Sequence, residues 1–243
     1  MTQRDLVRDA NTGRNIRVVL FAKDKGGVGS TGTLATVHYH LLQKDERPIL
    51  VEASTQQNDI LKPYRDRHTV LEVDLDREDG VSTFLNQLEQ TPAGSYVLMN
   101  IPGRSLIALE KIHSYLQIFN EISPIKAETT TVWTMGRDAA SRDGLDAMLD
   151  GDLPGRVLLN LPEWAGFPKD FDNVDNELLE RVLATSGDVF CCPKLAPQLF
   201  DLFRGKQSIG LDAIETLPGL TMGPRAEFRA WKGRVANILS KVF

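Results

Sequence analysis

The chain alternates short apolar runs with stretches in which apolar residues recur at helical spacing. The runs of strand length lie at 16–22, 48–54, 69–75, 95–103, 129–135, 155–162 and 188–195. The predicted helices lie at 33–44, 81–90, 105–122, 139–150, 175–186, 196–206 and 225–243. Continuous apolar strands that alternate with helices are typical of parallel sheets covered on both faces. The sequence therefore predicts an α/β fold with a doubly wound, mainly parallel sheet.

Length and composition indicate how this pattern is organised. The chain has 243 residues, of which 42% are hydrophobic and 25% charged, as in ordinary globular proteins. Residues 1–15 are polar and are predicted to form a flexible tail, followed by a single domain over residues 16–243. The net charge of -5 argues against a protein coated in nucleic acid. No apolar run reaches 18 residues, and the expected location is cytoplasmic.

A glycine-rich stretch, KDKGGVGST at residues 23–31, lies between the first predicted strand and the first predicted helix. In this position the backbone N–H groups and the helix N-terminus face a bound anion, and glycine allows the backbone to approach it closely. The hydroxyl of Thr31 stands where it could bind Mg²⁺. The stretch thus predicts a phosphate-binding loop, and the alternative is an ordinary turn between a strand and a helix.

The residues KGGVGST resemble the deviant Walker A motif, KGGxGK[ST], of the ParA/MinD-like P-loop ATPases. In that family the early lysine, here Lys25, reaches across a nucleotide-bound dimer to the partner's phosphates. The strand ending in Asn160 resembles the one whose terminal asparagine contacts adenine, and Pro193 falls where the last strand meets the base. The resemblance implies ATP or ADP with Mg²⁺ as cofactor and Thr31 as the metal-binding residue. The implied nucleotide-binding residues are Lys25, Gly26, Gly27, Val28, Gly29, Ser30, Thr31, Gly32, Asn160 and Pro193.

The resemblance covers roughly residues 16–240. The second half of the chain is similar to plasmid conjugal-transfer and stability proteins of the TraL and StbB type. The resemblance departs at positions that perform chemistry. Ser30 replaces the P-loop lysine, and Asn100 replaces the Walker B aspartate. The acidic pair of the second strand is gone, and Glu52, Ala53 and Ser54 occupy that stretch. Losing a charge-assisted contact to phosphate weakens binding by about 10- to 100-fold. These departures predict a pseudo-ATPase with no catalytic residues and with weak or absent nucleotide binding.

The function expected on this basis is that of an accessory factor in plasmid conjugation, stability or positioning, which acts through protein–protein contacts. One alternative is an ATP-dependent dimerisation switch with slow hydrolysis, its site rebuilt from Lys23, Asp24 or Glu52. Another is a DNA-binding module, because the last helix carries basic residues. Those residues are Arg225, Arg229, Lys232, Arg234 and Lys241. A docked final helix with a solvated basic face and a membrane-surface helix are further interpretations of the same segment, and a homodimer is a further alternative.

Overall fold

The computed structural model describes residues 15–53, 62–75, 77, 79–103, 106–151, 155–204 and 208–243, so the tail predicted for residues 1–15 lies almost wholly outside it. The strands within these residues are β1 (Ile16–Ala22), β2 (Ile49–Glu52), β3 (Val70–Glu72), β4 (Tyr96–Asn100), β5 (Ala127–Thr134), β6 (Arg156–Asn160) and β7 (Asp188–Phe190). The α-helices are α1 (Ser30–Leu42), α2 (Gly80–Gln90), α3 (Leu106–Ile122), α4 (Ala139–Asp150), α5 (Asn176–Ala184), α6 (Pro197–Arg204), α7 (Leu211–Ile214) and α8 (Met222–Leu239), with a 3-10 turn at Pro168–Asp170.

The strands form one seven-stranded sheet in the order β3-β2-β4-β1-β5-β6-β7, and every pair of neighbours is parallel. The predicted α/β class and doubly wound parallel sheet are confirmed. Strand β1 lies between β4 and β5, so the chain moves outward from it in both directions. The carboxyl ends of all strands consequently meet at one edge of the sheet, which is where open α/β sheets bind ligands.

The side chains of the central strand alternate between two hydrophobic cores. Ile16, Val18 and Leu20 belong to one core, which is covered by α2, α3, α4 and α5. Val19 and Phe21 belong to the other, which is covered by α1, α6, α7 and α8. This alternation follows from the two-residue period of a strand. Because both faces are covered, the apolar runs of the sequence are nearly continuous.

The last helix, α8, packs its apolar side into the second core. Phe228, Trp231 and Val235 are buried there. Several of its basic side chains form ion pairs, with Lys232 and Arg229 bonded to Glu215 at 3.2 and 3.6 Å. These pairs reduce the free positive charge that a DNA-binding face would need. Among the described helices, none combines the length and the apolar character required to cross a membrane.

The sequence pattern does not predict two short elements, the 3-10 turn Pro168–Asp170 and helix α7. Neither is long enough to show a helical period. The first is held because the backbone N–H of Phe167 donates to the Asp170 carboxylate at 2.8 Å. The second is held by burial of Leu211 and Ile214 against the second core. Local capping and tertiary burial, rather than periodicity, determine both elements.

The imidazole of His38 on α1 is fully buried, and neither ring nitrogen has a hydrogen-bond partner among the described residues. Its ring contacts Tyr64 and His68, with ring centroids 4.8 and 4.7 Å away. Burial lowers the pKa of His38 to about 3, and His68 and Arg67 lower it further. His38 is therefore neutral in the folded protein at pH values where the unfolded chain already binds a proton.

Because the folded pKa lies below the unfolded one, the fold loses stability as the pH falls below about 6.5. At pH 5 the cost from His38 is about 2 kcal/mol. We expect His38→Leu to reduce the loss of stability between pH 7 and pH 5 by that amount in urea unfolding. Leu41→Ala, a buried change in the same helix, should lower stability equally at both pH values. An unchanged pH dependence in His38→Leu would contradict this assignment.

Candidate phosphate-binding site

The glycine-rich loop leaves β1 at Ala22 and enters α1 at Ser30, ahead of the helix start predicted at residue 33. Gly29 has φ of 93°, and its carbonyl accepts the first helical hydrogen bond from the N–H of Thr33 at 3.0 Å. The left-handed residue turns the chain sharply enough for the helix to begin within the glycine motif. The unpaired N–H groups of the first helical turn therefore lie in the loop itself.

A cavity of about 560 Å³ opens beside this loop at the carboxyl edge of the sheet. Part of its lining is the glycine loop with Lys23, and another part is the β7–α6 connection with residues of α6. Its lining residues are Lys23, Gly26, Gly27, Gly29, Ser30, Thr31, Gly32, Thr36, Trp164, Pro193, Lys194, Leu195, Pro197, Phe200, Phe203, Arg204, Leu211 and Trp231. The cations in this lining are Lys23, Lys194 and Arg204, and the described lining residues include no carboxylate.

The structure brings most of the predicted nucleotide-binding residues together around this cavity. Those that line it are Gly26, Gly27, Gly29, Ser30, Thr31, Gly32 and Pro193. Lys25, Val28 and Asn160 are not among the described lining residues. The side chains of Lys25 and Asn160 and the backbone carbonyl of Val28 make other contacts. Their predicted ligand contacts stay predictions.

A larger cavity, of about 920 Å³, lies at the other end of the strands. Arg17, Ala127 and Arg156, at the amino ends of β1, β5 and β6, contribute to its lining. Open α/β sheets bind their ligands at the carboxyl ends of the strands instead. We therefore place the functional site at the smaller cavity beside the glycine loop.

Lys23 is the first residue after β1, and its side chain runs beneath the loop with 5% of its surface exposed. The ammonium group donates to the Ser30 hydroxyl at 2.8 Å and to the Ile101 carbonyl at 3.1 Å. Burial lowers the pKa of Lys23, while the Glu52 carboxylate opposes this and Arg204 adds to it. The ammonium group of Lys23 therefore binds Ser30, the residue that stands where P-loop proteins have their lysine.

Glu52 and Asn100 form a buried polar pair at the ends of β2 and β4. The Asn100 amide donates to the Glu52 carboxylate at 2.8 Å, and the two residues are also opposite each other in the parallel ladder. The carboxylate predicted to be lost from residue 100 is thus present on the neighbouring strand. It lies near enough to Lys23 to compensate its positive charge.

Lys25, the early lysine of the motif, points away from the cavity. Its ammonium lies 2.5 Å from the carboxylate of Asp138, and both side chains are partly exposed. Asp138 is also the N-cap of α4, because it accepts a hydrogen bond from the N–H of Ser141 at 3.1 Å. The hydrogen bond from Lys25 is the main cause that lowers the pKa of Asp138.

The two functions of Asp138 can be separated by substitution. Asp138→Asn keeps a capping side chain and removes the charge, so we expect a change in unfolding free energy of less than about 0.5 kcal/mol, because exposed ion pairs contribute little. Asp138→Ala also removes the cap and should cost about 1 kcal/mol. Urea denaturation of both variants measures the difference. Equal losses in the two variants would mean that the ion pair, and not the cap, stabilises this helix.

Trp164, in the loop after β6, lies directly against the glycine loop. Its indole N–H donates to the Val28 carbonyl at 2.9 Å. A Cβ atom at Gly29 would lie only 2.4 Å from the indole nitrogen, so a side chain there cannot coexist with this ring position. The ring therefore forms one wall of the cavity and fixes the shape of the loop.

Asn160 is fully buried at the end of β6. Its amide nitrogen donates to the Thr33 hydroxyl at 2.8 Å, and its amide oxygen accepts from the N–H of Cys192 at 3.0 Å. The side chain thus connects α1 with the chain that leaves β7. In this structure its polar atoms serve internal bonds rather than the lining of the cavity.

The residues present fit a phosphate better than a tightly held metal. The hydroxyl of Thr31 lines the cavity, as predicted for a Mg²⁺ ligand, while residue 100 supplies an amide in place of a carboxylate. Within the described residues, no group of three His, Cys, Asp or Glu side chains could hold a metal ion.

A parallel, doubly wound sheet whose first strand enters its helix through a glycine-rich loop is the arrangement that the resemblance to the MinD- and ParA-like P-loop ATPases implies. No protein-family model matches the chain. It is 27% identical to Protein MobD of Acidithiobacillus ferrooxidans over 229 residues, which are 93% of this chain and 97% of that protein.

Solved structures with a similar course of the chain include the MinD cell division protein of Aquifex aeolicus. That match has 17% identity, covers 90% of this chain and 97% of the other, and has a TM-score of 0.46. A nucleotide-binding protein from Archaeoglobus fulgidus, solved in complex with ADP, matches with 11% identity. It covers 83% of this chain and 90% of the other, with a TM-score of 0.48.

The residues that the sequence did not predict come from the segments after β6 and β7, which are distant from the glycine loop in the chain. Trp164, Lys194, Phe200 and Arg204 all line the cavity but belong to no recognised motif. Their common signal is position, because they follow β6 and β7 and the carboxyl ends of parallel strands converge. Aromatic and basic residues in the segment that follows such a strand are therefore candidates for the lining of the cavity.

Proposed function

We propose that the chain is a MinD/ParA-like accessory factor of plasmid transfer or stability that binds a nucleotide at the glycine loop without hydrolysing it efficiently. The observation that carries the proposal is the cavity beside the loop. It combines backbone N–H groups, three cations and an apolar wall, which together suit a phosphate group attached to a flat ring.

Inefficient hydrolysis is inferred from the neutral side chains at two positions. Ser30 and Asn100 occupy the positions of the P-loop lysine and the Walker B aspartate. Phosphoryl transfer depends chiefly on electrostatic stabilisation of the charge that develops in the transition state. Glu52 keeps a carboxylate near the loop, but it is buried and accepts a hydrogen bond from Asn100. These features favour a protein that binds a nucleotide over one that hydrolyses it efficiently.

The role in a plasmid system is supported by the sequence resemblance and by the 27% identity to Protein MobD across nearly the whole chain. An action through protein contacts is supported by the exposed side of α3. Ile107 and Ile122 are 78% and 79% exposed, and Tyr115 and Ile118 lie on the same side of the helix. Apolar side chains aligned in this way are typical of interaction surfaces.

Calorimetric titration with ADP and ATP, with and without Mg²⁺, tests the proposal. We expect micromolar binding, and less than one phosphate released per protein over hours in a parallel assay. Sustained release that is lost in Glu52→Gln would instead favour the switch with slow hydrolysis. No heat of binding at millimolar nucleotide would overturn nucleotide binding and leave the fold as a scaffold for partners.

A further inference from the structure

We propose that Lys23 replaces the missing P-loop lysine, so that the phosphate-binding cation of this site comes from the end of β1 instead of the start of α1. This inference rests on the proposed nucleotide binding and names the residue that makes it possible. The observation behind it is the 2.8 Å hydrogen bond from the Lys23 ammonium to the Ser30 hydroxyl.

The position of Lys23 places its charge at the loop. The residue follows Ala22, the last residue of β1, and its side chain lies under the glycine turn rather than in solvent. The Ile101 carbonyl and the Ser30 hydroxyl hold the ammonium from two sides, which fixes its location. Lys23 also belongs to the lining of the cavity. The ammonium is thus pre-positioned between the sheet and the site, at little further entropic cost on binding.

Ser30 is suited to this arrangement because its side chain is short. A lysine at residue 30 would bring a second ammonium group to the place that Lys23 occupies, and two buried like charges repel each other. A serine offers a hydroxyl oxygen that accepts from the ammonium. The lysine at residue 23 and the serine at residue 30 are therefore complementary, since the ammonium group needs the space and the acceptor that a serine provides.

The described lining of the cavity contains cations and no carboxylate. Glu52, whose carboxylate favours the charged form of Lys23, is 1% exposed and accepts a hydrogen bond from Asn100. Among the described residues it does not line the cavity, whereas Lys23, Lys194 and Arg204 do. An anion in the cavity would therefore face the side chains of Lys23, Lys194 and Arg204.

The test compares binding of ADP and of inorganic pyrophosphate to the wild-type protein, Lys23→Met and the double variant Lys23→Met/Ser30→Lys. Pyrophosphate separates recognition of the phosphates from recognition of the base. We expect Lys23→Met to weaken binding of both probes by about 10- to 100-fold. The double variant, which returns the lysine to residue 30, should recover binding to within about threefold of wild type. Lys111→Met, whose ammonium binds the Leu75 carbonyl away from the cavity, is the matched control and should bind normally.

Two results would overturn the inference. One is wild-type affinity in folded Lys23→Met, which would leave the proposed nucleotide binding intact. The other is a folded double variant that does not recover, which would make Lys23 a structural pin of the loop. Where Lys23→Met does not fold, the double variant alone decides between these outcomes. If the wild-type protein binds neither probe, the proposed function and this inference fail together.

Discussion

Glu52→Ala is expected to lower the free energy of unfolding by about 3–5 kcal/mol, because it removes a buried carboxylate that offsets the burial of a lysine. Glu52 is 1% exposed and accepts a hydrogen bond from Asn100, while its carboxylate offsets the cost of burying Lys23. Removing it also leaves the Asn100 amide without this acceptor. Urea denaturation followed by circular dichroism measures the loss.

The neighbouring strand provides a matched control. Glu72 lies opposite Glu52 in the ladder between β2 and β3, but it is about half exposed and paired with Arg65. Glu72→Ala should therefore change stability by less than about 1 kcal/mol. Adding Lys23→Met to Glu52→Ala should cost less than the sum of the single losses, because the two charges are coupled. A loss below 1 kcal/mol in Glu52→Ala would show that the buried ammonium is compensated elsewhere.

Gly29→Ala should also be strongly destabilising, by about 2–3 kcal/mol. The residue has φ of 93°, and a left-handed backbone costs an L-amino acid about 1–2 kcal/mol. The new Cβ would also displace Trp164, and the hydrogen bond from its indole to Val28 would be lost at a further cost of about 1 kcal/mol. Chemical denaturation measures the total, and tryptophan fluorescence reports the displaced ring.

Gly219→Ala separates these two contributions. Gly219 has a similar φ of 81°, yet a Cβ atom there would meet no atom within 4 Å. Gly219→Ala should therefore lower the free energy of unfolding by about 1–2 kcal/mol, from the strain of the backbone alone. The difference between the two variants measures the contact with Trp164. Equal losses would mean that the indole moves aside freely and does not fix the loop.

The class of fold could be predicted from the sequence because its signal is repeated in every unit of the chain. The apolar run 16–22 coincides with β1, and even the weak run 69–75 contains β3 at the edge of the sheet. The limits of the elements are predicted less accurately, as with α1, because glycine is unfavourable inside a helix and so indicates a turn. The structure places Ser30 and Gly32 in the helix, where they shape its first turn.

The candidate site was predictable only where its residues are contiguous in the sequence. The motif from Gly26 to Gly32 contributes the floor of the cavity, as expected from its spacing. The exchange between residues 23 and 30 could not be derived, since spacing alone does not tell whether Lys23 folds under the loop or into solvent. Asn160 shows the opposite limitation. Its position at the end of β6 was right, but only the packing shows that Thr33 and Cys192 bind its amide.

The amide of Asn160 makes the two walls of the cavity mechanically continuous. One of its bonds holds Thr33, a single turn beyond the glycine loop, and the other holds Cys192, next to Pro193 on the facing wall. The Asn160 side chain therefore connects the first turn of α1 with the chain that leads into α6. A substitution of Asn160 would consequently disturb both segments at once, since one buried side chain holds them together.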